Sequence, residues 1–166
     1  MSAAAFVTSI PYPGAPGSAR LAVMALPRDA GERAAAAAFG PALLVTLMTP
    51  EEAQDKGLAC DLAALAGLAP DWRQAPIADY AVPDPAFEAG WPALAATVNR
   101  LLAAGERVLI HCHGGRGRSG LVAARLLIDS GMDAPAALAT VRQARPGAVE
   151  TAGQEAHLTA YAAGPF

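Results

Sequence analysis

The sequence feature that most constrains the fold is a short apolar run that ends at a cysteine and continues into a glycine-rich segment. The run is Val108-Leu109-Ile110-His111-Cys112, and the segment after it is His113-Gly114-Gly115-Arg116-Gly117-Arg118-Ser119-Gly120. A β-branched apolar run predicts a buried strand, and the apolar spacing of residues 121–130 predicts a helix. A strand, a glycine loop and a helix N-terminus together direct backbone N–H groups at one point, which favours binding of an anion.

The spacing of Cys112 and Arg118 indicates a chemical role for this loop. Five residues separate them, and three of the five are glycines (Gly114, Gly115 and Gly117) that permit positive φ angles and close backbone approach. A cysteine at the rim of such a cradle is favoured as a thiolate, which is a nucleophile. Arg118 can bind two oxygens of a phosphoryl group, most tightly as they spread in the transition state. A Walker-type loop fits less well because no Lys-Ser/Thr pair closes it, and a buried structural cysteine is the simplest alternative.

The segment His111-Cys112-(five residues)-Arg118-Ser119 resembles the signature of the cysteine-dependent protein-tyrosine and dual-specificity phosphatase family. The resemblance implies a metal-independent phosphomonoester hydrolase without a cofactor, acting through a phosphocysteine intermediate on Cys112. Arg118 would bind the phosphoryl group, Ser119 would stabilise the departing sulfur, and His111 would hold the loop and tune the thiol. The loop residues expected to bind phosphate are His113, Gly114, Gly115, Arg116, Gly117 and Arg118.

A second loop contains the expected general acid, which is needed to protonate the leaving oxygen. Residues 76–84 resemble the family's acid loop, in which an aspartate is followed four residues later by a proline, as Asp79 is followed by Pro83. Asp79 is therefore expected to protonate the leaving group and then to deprotonate the attacking water. Asp84 is the alternative, although an aspartate before a proline is also typical of a turn cap.

Two further segments extend the resemblance to the branch of dual-specificity phosphatases that is associated with cyclin-dependent kinases, and to its bacterial relatives. Residues 44–52 resemble the corresponding stretch of that branch. Within them, Thr49–Glu52 is similar to an acidic loop that borders the family's active site, although a helix cap at Thr49 is the favoured interpretation. Residues 147–154 resemble the segment in which a glutamine orients the hydrolytic water, and Gln154 has the expected position. An equally favoured interpretation is that Gln154 is simply a polar residue on a helix surface. Arg142 and Arg145 are expected to anchor this segment to the loops.

One departure from that branch bears on the substrate. His113 and Arg116 occupy loop positions that are often apolar or neutral there, whereas lipid-phosphate members of the family have basic residues. Additional cations would favour a substrate with more than one phosphate. The alternative function is therefore hydrolysis of a phosphoinositide or another polyphosphorylated small molecule, and the alternative role for Arg116 is a side chain that faces solvent.

The remaining sequence predicts a single α/β domain. The chain has 166 residues, of which 54% are hydrophobic and 16% charged. This length and apolar content are enough for one globular domain with a substantial core. We assign residues 1–166 to one phosphatase domain, with an irregular lead-in at 1–20 and a catalytic core at 21–163. Strand patterns alternate with helix patterns, which predicts a mostly parallel mixed sheet flanked by helices, with the phosphate loop at the C-terminal end of a central strand.

Charge, hydropathy and cysteine content exclude several classes of function. A net charge of −3 provides no general attraction to nucleic acid, and no apolar run is long enough to span a membrane. Cys60 and Cys112 form no disulfide framework, and a thiolate nucleophile needs a reducing compartment, so we expect a cytoplasmic protein. The expected partner is a phosphorylated protein or peptide, or alternatively a phosphorylated lipid or inositol. An inactive phosphate-binding module and a sulfur-transfer or arsenate-reducing protein are less favoured, because nucleophile, arginine and acid are all present and no second cysteine accompanies Cys112.

Overall fold

The computed structural model describes residues 6–15 and 20–164, which are built around a five-stranded mixed sheet. The strands are β1 (Thr8–Ile10), β2 (Leu21–Ala25), β3 (Leu43–Thr46), β4 (Asp71–Gln74) and β5 (Val108–Cys112), in the order β1-β2-β5-β3-β4 across the sheet. β5 is parallel to both of its neighbours, β4 is parallel to β3, and β1 is antiparallel to β2. The prediction of a mostly parallel mixed sheet, with the loop strand at its centre, is confirmed.

Helices cover both faces of the sheet, because successive residues of a strand point to opposite sides. Val23, Val45 and Ile110 pack on one face against apolar residues of α4 to α7, whereas Ala22 and Leu44 pack on the other face against α1 to α3. The helices of the described part are α1 (Ala30–Phe39), α2 (Pro50–Asp55), α3 (Ala59–Ala63), α4 (Pro85–Ala103), α5 (Gly117–Asp129), α6 (Ala134–Ala144) and α7 (Ala152–Ala163).

The start of α5 differs from the sequence-based expectation. The apolar pattern predicts a helix from residue 121, but α5 begins at Gly117, so Arg118 and Ser119 belong to its first turn. Glycine is a weak helix former, which hid this turn from the sequence. Tight packing explains the small residues there: a Cβ on Gly120 would lie 2.9 Å from the Cβ of Ala148.

The N-terminal segment is described only in part. Of the predicted lead-in at 1–20, residues 1–5 and 16–19 lie outside the described residues, and β1 forms an edge of the sheet within the remainder. The bounds of the catalytic core, 21–163, stay a prediction. Across residues 6–15 and 20–164, the structure has no helix with the length and apolar character needed to span a membrane.

Candidate active site

The loop between β5 and α5 surrounds the sulfur of Cys112. The backbone N–H of Gly115 donates a hydrogen bond to Sγ at 3.2 Å, and the hydroxyl oxygen of Ser119 lies 3.5 Å from the same sulfur. Cys112 is buried and lines a cavity of about 50 Å³, large enough for a small oxyanion group. Hydrogen-bond donors directed at a sulfur stabilise negative charge on it, which is what a thiolate nucleophile requires.

The three loop glycines have different structural roles. Only Gly115 adopts a positive φ, of 66°, and a Cβ there would lie 2.3 Å from the backbone nitrogen of Ala25, so no other residue fits. Gly117 is helical, but a Cβ on it would lie 2.5 Å from Oε2 of Glu150. A Cβ on Gly114 would meet open space. The sequence pattern predicted that all three glycines permit positive φ angles and close approach. The structure requires a positive φ at Gly115 and a close side-chain contact at Gly117.

The guanidinium of Arg118 is buried and held by two elements remote in sequence. Its Nη1 donates to Oε2 of Glu52 at 2.5 Å and to the carbonyl of Ile77 at 3.1 Å. Its Nη2 donates to Oε1 of Glu52 at 2.9 Å and lies 2.9 Å from Oδ1 of Asp79. Hydrogen bonds use three of the four N–H bonds of the two terminal nitrogens, and Asp79 pairs with Nη2 by charge, so a ligand that binds Nη2 competes with this carboxylate.

Lys56 closes a ring of charges around this arginine. Its Nζ donates to Oδ2 of Asp79 at 2.6 Å and to Oε1 of Glu52 at 2.9 Å. Burial favours the protonated form of Asp79, but the hydrogen bond from Lys56 and the charge of Arg118 outweigh burial and lower the pKa of this carboxyl. Burial acts in the same sense on Glu52, and hydrogen bonds from Arg118 and Lys56 again lower its pKa. In the absence of substrate, Asp79 therefore lies in the cavity as a paired carboxylate.

Sequence reasoning missed the side-chain roles of Glu52 and Lys56. It favoured a helix cap at the start of α2 over an acidic loop bordering the active site, and Thr49 does accept a hydrogen bond from the N–H of Glu52 at 3.0 Å. The available signal was the spacing: residues four apart on a helix lie on the same face, and this Glu–Lys pair precedes the acid loop in the chain.

His111 lies behind the loop, fully buried between strands. Its Nε2 is 2.7 Å from Oγ1 of Thr46. The same Oγ1 accepts a hydrogen bond from the indole N–H of Trp72 at 2.8 Å. Its Nδ1 is 3.4 Å from the carbonyl oxygen of Cys112. Burial lowers the pKa of His111 to about 4, so the ring is neutral. We assign the proton to Nδ1, facing that carbonyl, with Nε2 accepting from Thr46.

The two basic loop residues differ in where they point. His113 lines the cavity, and its Nε2 accepts a hydrogen bond from Nη2 of Arg28 at 2.8 Å. Burial and the nearby charges of Lys56 and Arg28 lower the pKa of His113. Arg116 is exposed, and it is not among the described residues that line the cavity. The alternative acid, Asp84, caps α4 through the N–H of Phe87 at 2.8 Å and lies outside the cavity.

Gln154 lines the cavity, but its amide group is bound to the backbone. Its Oε1 accepts from the N–H groups of Glu150 at 2.9 Å and Thr151 at 3.3 Å, and its Nε2 donates to the carbonyl of Ala81 at 3.1 Å. These bonds join the start of α7 to the acid loop. The predicted water-orienting role of Gln154 stays a prediction.

Arg142 and Arg145 both hold the segment between α6 and α7, but only Arg145 links it to another loop, as was predicted for both. Arg142 donates from Nε to the carbonyl of Ala148 at 3.0 Å and from Nη2 to that of Val149 at 2.9 Å. Arg145 donates from Nε to the carbonyl of Gly115 at 3.1 Å, which ties the segment to the phosphate loop.

A cysteine at the end of a central parallel strand, a glycine loop and an arginine in the first turn of the next helix define the class of protein-tyrosine and dual-specificity phosphatases. Residues 17–158 match the family model described as Swiss Army Knife protein, DSP-PTPase phosphatase domain, and the chain belongs to this family. No curated protein matches the sequence significantly.

Solved structures share the fold over most of the chain. Kinase associated phosphatase, with its catalytic site cysteine replaced by serine, is 24% identical with a TM-score of 0.77, covering 92% of this chain and 90% of that one. Tk-PTP in its active form is 27% identical with a TM-score of 0.71, covering 94% and 97%. PTPMT1 in complex with PI(5)P is 17% identical with a TM-score of 0.62, covering 86% and 90%.

Proposed function

We propose that the protein is a phosphomonoester hydrolase of the protein-tyrosine or dual-specificity type that transfers a phosphoryl group to Cys112. The main support is one observation: the sulfur of Cys112, with an amide N–H directed at it, shares a small cavity with Arg118 and Asp79. Nucleophile, phosphoryl-binding cation and proton donor are the groups this chemistry requires.

In the first step, the thiolate of Cys112 attacks phosphorus, the bond to the leaving oxygen breaks, and Asp79 protonates that oxygen. The carboxylate of Asp79 lies 2.9 Å from Nη2 of Arg118 in the free protein. A phosphoryl oxygen would compete for that guanidinium and bring negative charge beside the carboxylate. Both effects favour protonation of Asp79, so substrate binding would itself prepare the acid.

In the second step, water attacks the phosphorus of the phosphocysteine, and the sulfur leaves as a thiolate. A carboxylate of the cavity takes up the proton that the water loses, and the family resemblance gives this role to Asp79. The hydroxyl of Ser119, 3.5 Å from Sγ, would donate a hydrogen bond to the departing sulfur. Inorganic phosphate is the product. Neither step needs a metal or another cofactor.

Single substitutions at Cys112 and Asp79 test this mechanism. Cys112→Ser should abolish turnover yet still bind phosphate or vanadate, as measured by calorimetry. Asp79→Asn should slow hydrolysis of phenyl phosphate by about 100-fold or more and that of 4-nitrophenyl phosphate far less, because only the poor leaving group needs a proton donor. Asp84→Asn is the matched control, since asparagine retains the cap of α4. Turnover by Cys112→Ser, or a leaving-group effect confined to Asp84→Asn, would contradict the proposal.

The alternative substrate class is a phosphoinositide or another polyphosphorylated small molecule. Three basic residues lie at or beside the cavity, namely Lys56, Arg28 and His113. Lys56 donates a hydrogen bond to Asp79, and Arg28 donates one to His113 of the loop. The fold is also similar to that of PTPMT1, which was solved in complex with PI(5)P. A second phosphate would find cations here, whereas the first would occupy the loop.

Substitution of the basic residues outside the cavity separates the two substrate classes. If the substrate carries several phosphates, Arg116→Ala and Arg28→Ala should reduce kcat/KM far more for an inositol phosphate than for a phosphotyrosine peptide. The reason is that only the former presents extra charge to these side chains. Equal losses on both substrates would remove the alternative and leave a phosphorylated protein or peptide as the substrate.

The proposed location is the cytoplasm, and its support is chemical. Cys112 and Cys60 are free thiols, and a nucleophilic thiolate is lost to oxidation unless the compartment is reducing.

A further inference from the structure

We propose that Glu150 is a second catalytic carboxylate, which orients the water that hydrolyses the phosphocysteine and accepts its proton. The inference rests on the proposed function and concerns its second step. It separates the two proton transfers between two side chains, with Asp79 as the acid and Glu150 as the base.

The carboxylate of Glu150 is seated against the phosphate loop. Glu150 lines the same cavity as Cys112 and Asp79, and its Oε2 lies 2.5 Å from the place where a Cβ on Gly117 would be. Only glycine at 117 leaves room for this approach. Within residues 6–15 and 20–164, no hydrogen bond or ion pair occupies the carboxylate oxygens of Glu150, so both can accept from a water molecule.

Gln154, which the sequence predicted for this role, is bound elsewhere. Its Oε1 accepts from two backbone N–H groups, and its Nε2 can only donate. An amide also cannot take up the proton that the attacking water must lose. Instead, Gln154 holds the backbone N–H of Glu150 at 2.9 Å and thereby fixes the position of that residue.

The backbone before Glu150 is strained in a way that fixes its direction. Val149 is buried and has a φ of 58°, a conformation that β-branched residues rarely adopt. Its N–H donates to the carbonyl of Arg116 at 3.3 Å, and its carbonyl accepts from Arg142 at 2.9 Å. Strained residues persist where their surroundings hold them from several sides, and they cluster at active sites. This turn delivers the side chain of the next residue to the loop.

The step balances with the groups present. The oxygen of water forms a bond to phosphorus, and the P–S bond breaks with its electron pair retained by Cys112. One proton of the water passes to the carboxylate of Glu150, and inorganic phosphate leaves. Asp79 has then only to protonate the leaving group of the first step, after which it can pair again with Lys56 and Arg118.

Rapid-mixing kinetics of Glu150→Gln test the inference. This variant keeps the shape of the side chain but cannot accept a proton. With 4-nitrophenyl phosphate we expect a burst of one equivalent of 4-nitrophenolate per enzyme, then a steady-state rate reduced about 100-fold. Mass spectrometry should show phosphorylated Cys112 accumulating. Glu106→Gln is the matched control. Glu106 is an exposed carboxylate just before the N-terminal end of β5, whereas the phosphate loop follows the C-terminal end, so this variant should show the parent kinetics.

Chemical rescue provides a second readout. Formate should restore part of the steady-state rate of Glu150→Ala, because it supplies a carboxylate where the side chain was, and it should leave Glu106→Ala unaffected. The inference is overturned if Glu150→Gln turns over at the parent rate, or if its rate falls without accumulation of phosphoenzyme. Failure of the proposed function is a different result, namely turnover that survives Cys112→Ser.

Discussion

At the scale of single residues, Asp79 carries the tightest requirement, since the proposed reaction needs it protonated first and ionised afterwards. In the free protein it lies 2.6 Å from Nζ of Lys56 and 2.9 Å from Nη2 of Arg118, with His113 also near. Burial raises its pKa, but the two cations outweigh burial and lower it. A general acid with a lowered pKa is active at lower pH, so kcat/KM for poor leaving groups should fall as the pH rises through that pKa.

Lys56→Met should move this falling limb of the pH profile to higher pH. The substitution removes the hydrogen bond and charge that lower the pKa of Asp79, so the acid stays protonated over a wider range. The measurement is kcat/KM for phenyl phosphate against pH. Lys56→Arg should retain the parent profile, as should Arg33→Met, which removes a cation from a partly exposed pair with Asp61 at 3.8 Å, remote from Asp79. An unchanged limb in Lys56→Met would show that Lys56 does not act through Asp79.

At the scale of the elements, the sequence predicted kind and order well, because local patterns determine both. The apolar run of β5 acts within a few residues and is found in the structure, and the ends of α1 are also set locally, by the Asp29 cap and by Gly40. One error is the start of α5. Low helix propensity at Gly117 and Gly120 concealed a first turn that is stabilised by packing against a segment some thirty residues further on.

Contacts between elements could not be predicted from one sequence. Glu52 and Arg118 are 66 residues apart, and Thr46 and His111 are 65 apart. A pattern shows which face of a helix or strand is polar, but it does not show which remote side chain meets that face. The sequence therefore identified the groups proposed to react with substrate, Cys112 and Asp79 among them, and missed Glu52, the partner that holds Arg118 in place.

At the scale of the whole molecule, a buried arginine joins three helices on the face of the sheet that α5 covers. Arg125 of α5 is fully buried, and it donates to both carboxylate oxygens of Glu88 on α4, at 2.6 and 2.8 Å. Its guanidinium carbon lies 4.5 Å from the ring centroid of Trp91 and 3.9 Å from that of Tyr161 on α7. Its Nε is buried without a hydrogen-bond partner in the described part of the chain, so the ion pair and the rings must compensate for the buried charge.

Arg125→Ala should therefore destabilise the fold far more than loss of a surface ion pair. It leaves the carboxylate of Glu88 without its partner and opens a cavity between the rings, at a cost of about 3 kcal/mol, the low end for a buried pair because Glu88 keeps some contact with water. Arg33→Ala, the control at a partly exposed ion pair, should cost less than about 1 kcal/mol. Urea denaturation measures both values, and kcat of the folded Arg125→Ala protein should stay at the parent level.

A double substitution distinguishes loss of the charge pair from loss of packing. Arg125→Met with Glu88→Leu fills the space with apolar side chains and leaves no unpaired charge, and such replacements of buried ion pairs are often neutral or stabilising. We expect it to recover most of the free energy of unfolding lost in Arg125→Ala, since the rings of Trp91 and Tyr161 can pack against methionine as well. If the double variant is as unstable as Arg125→Ala, the guanidinium itself holds α4, α5 and α7 together, through contacts that an apolar side chain does not replace.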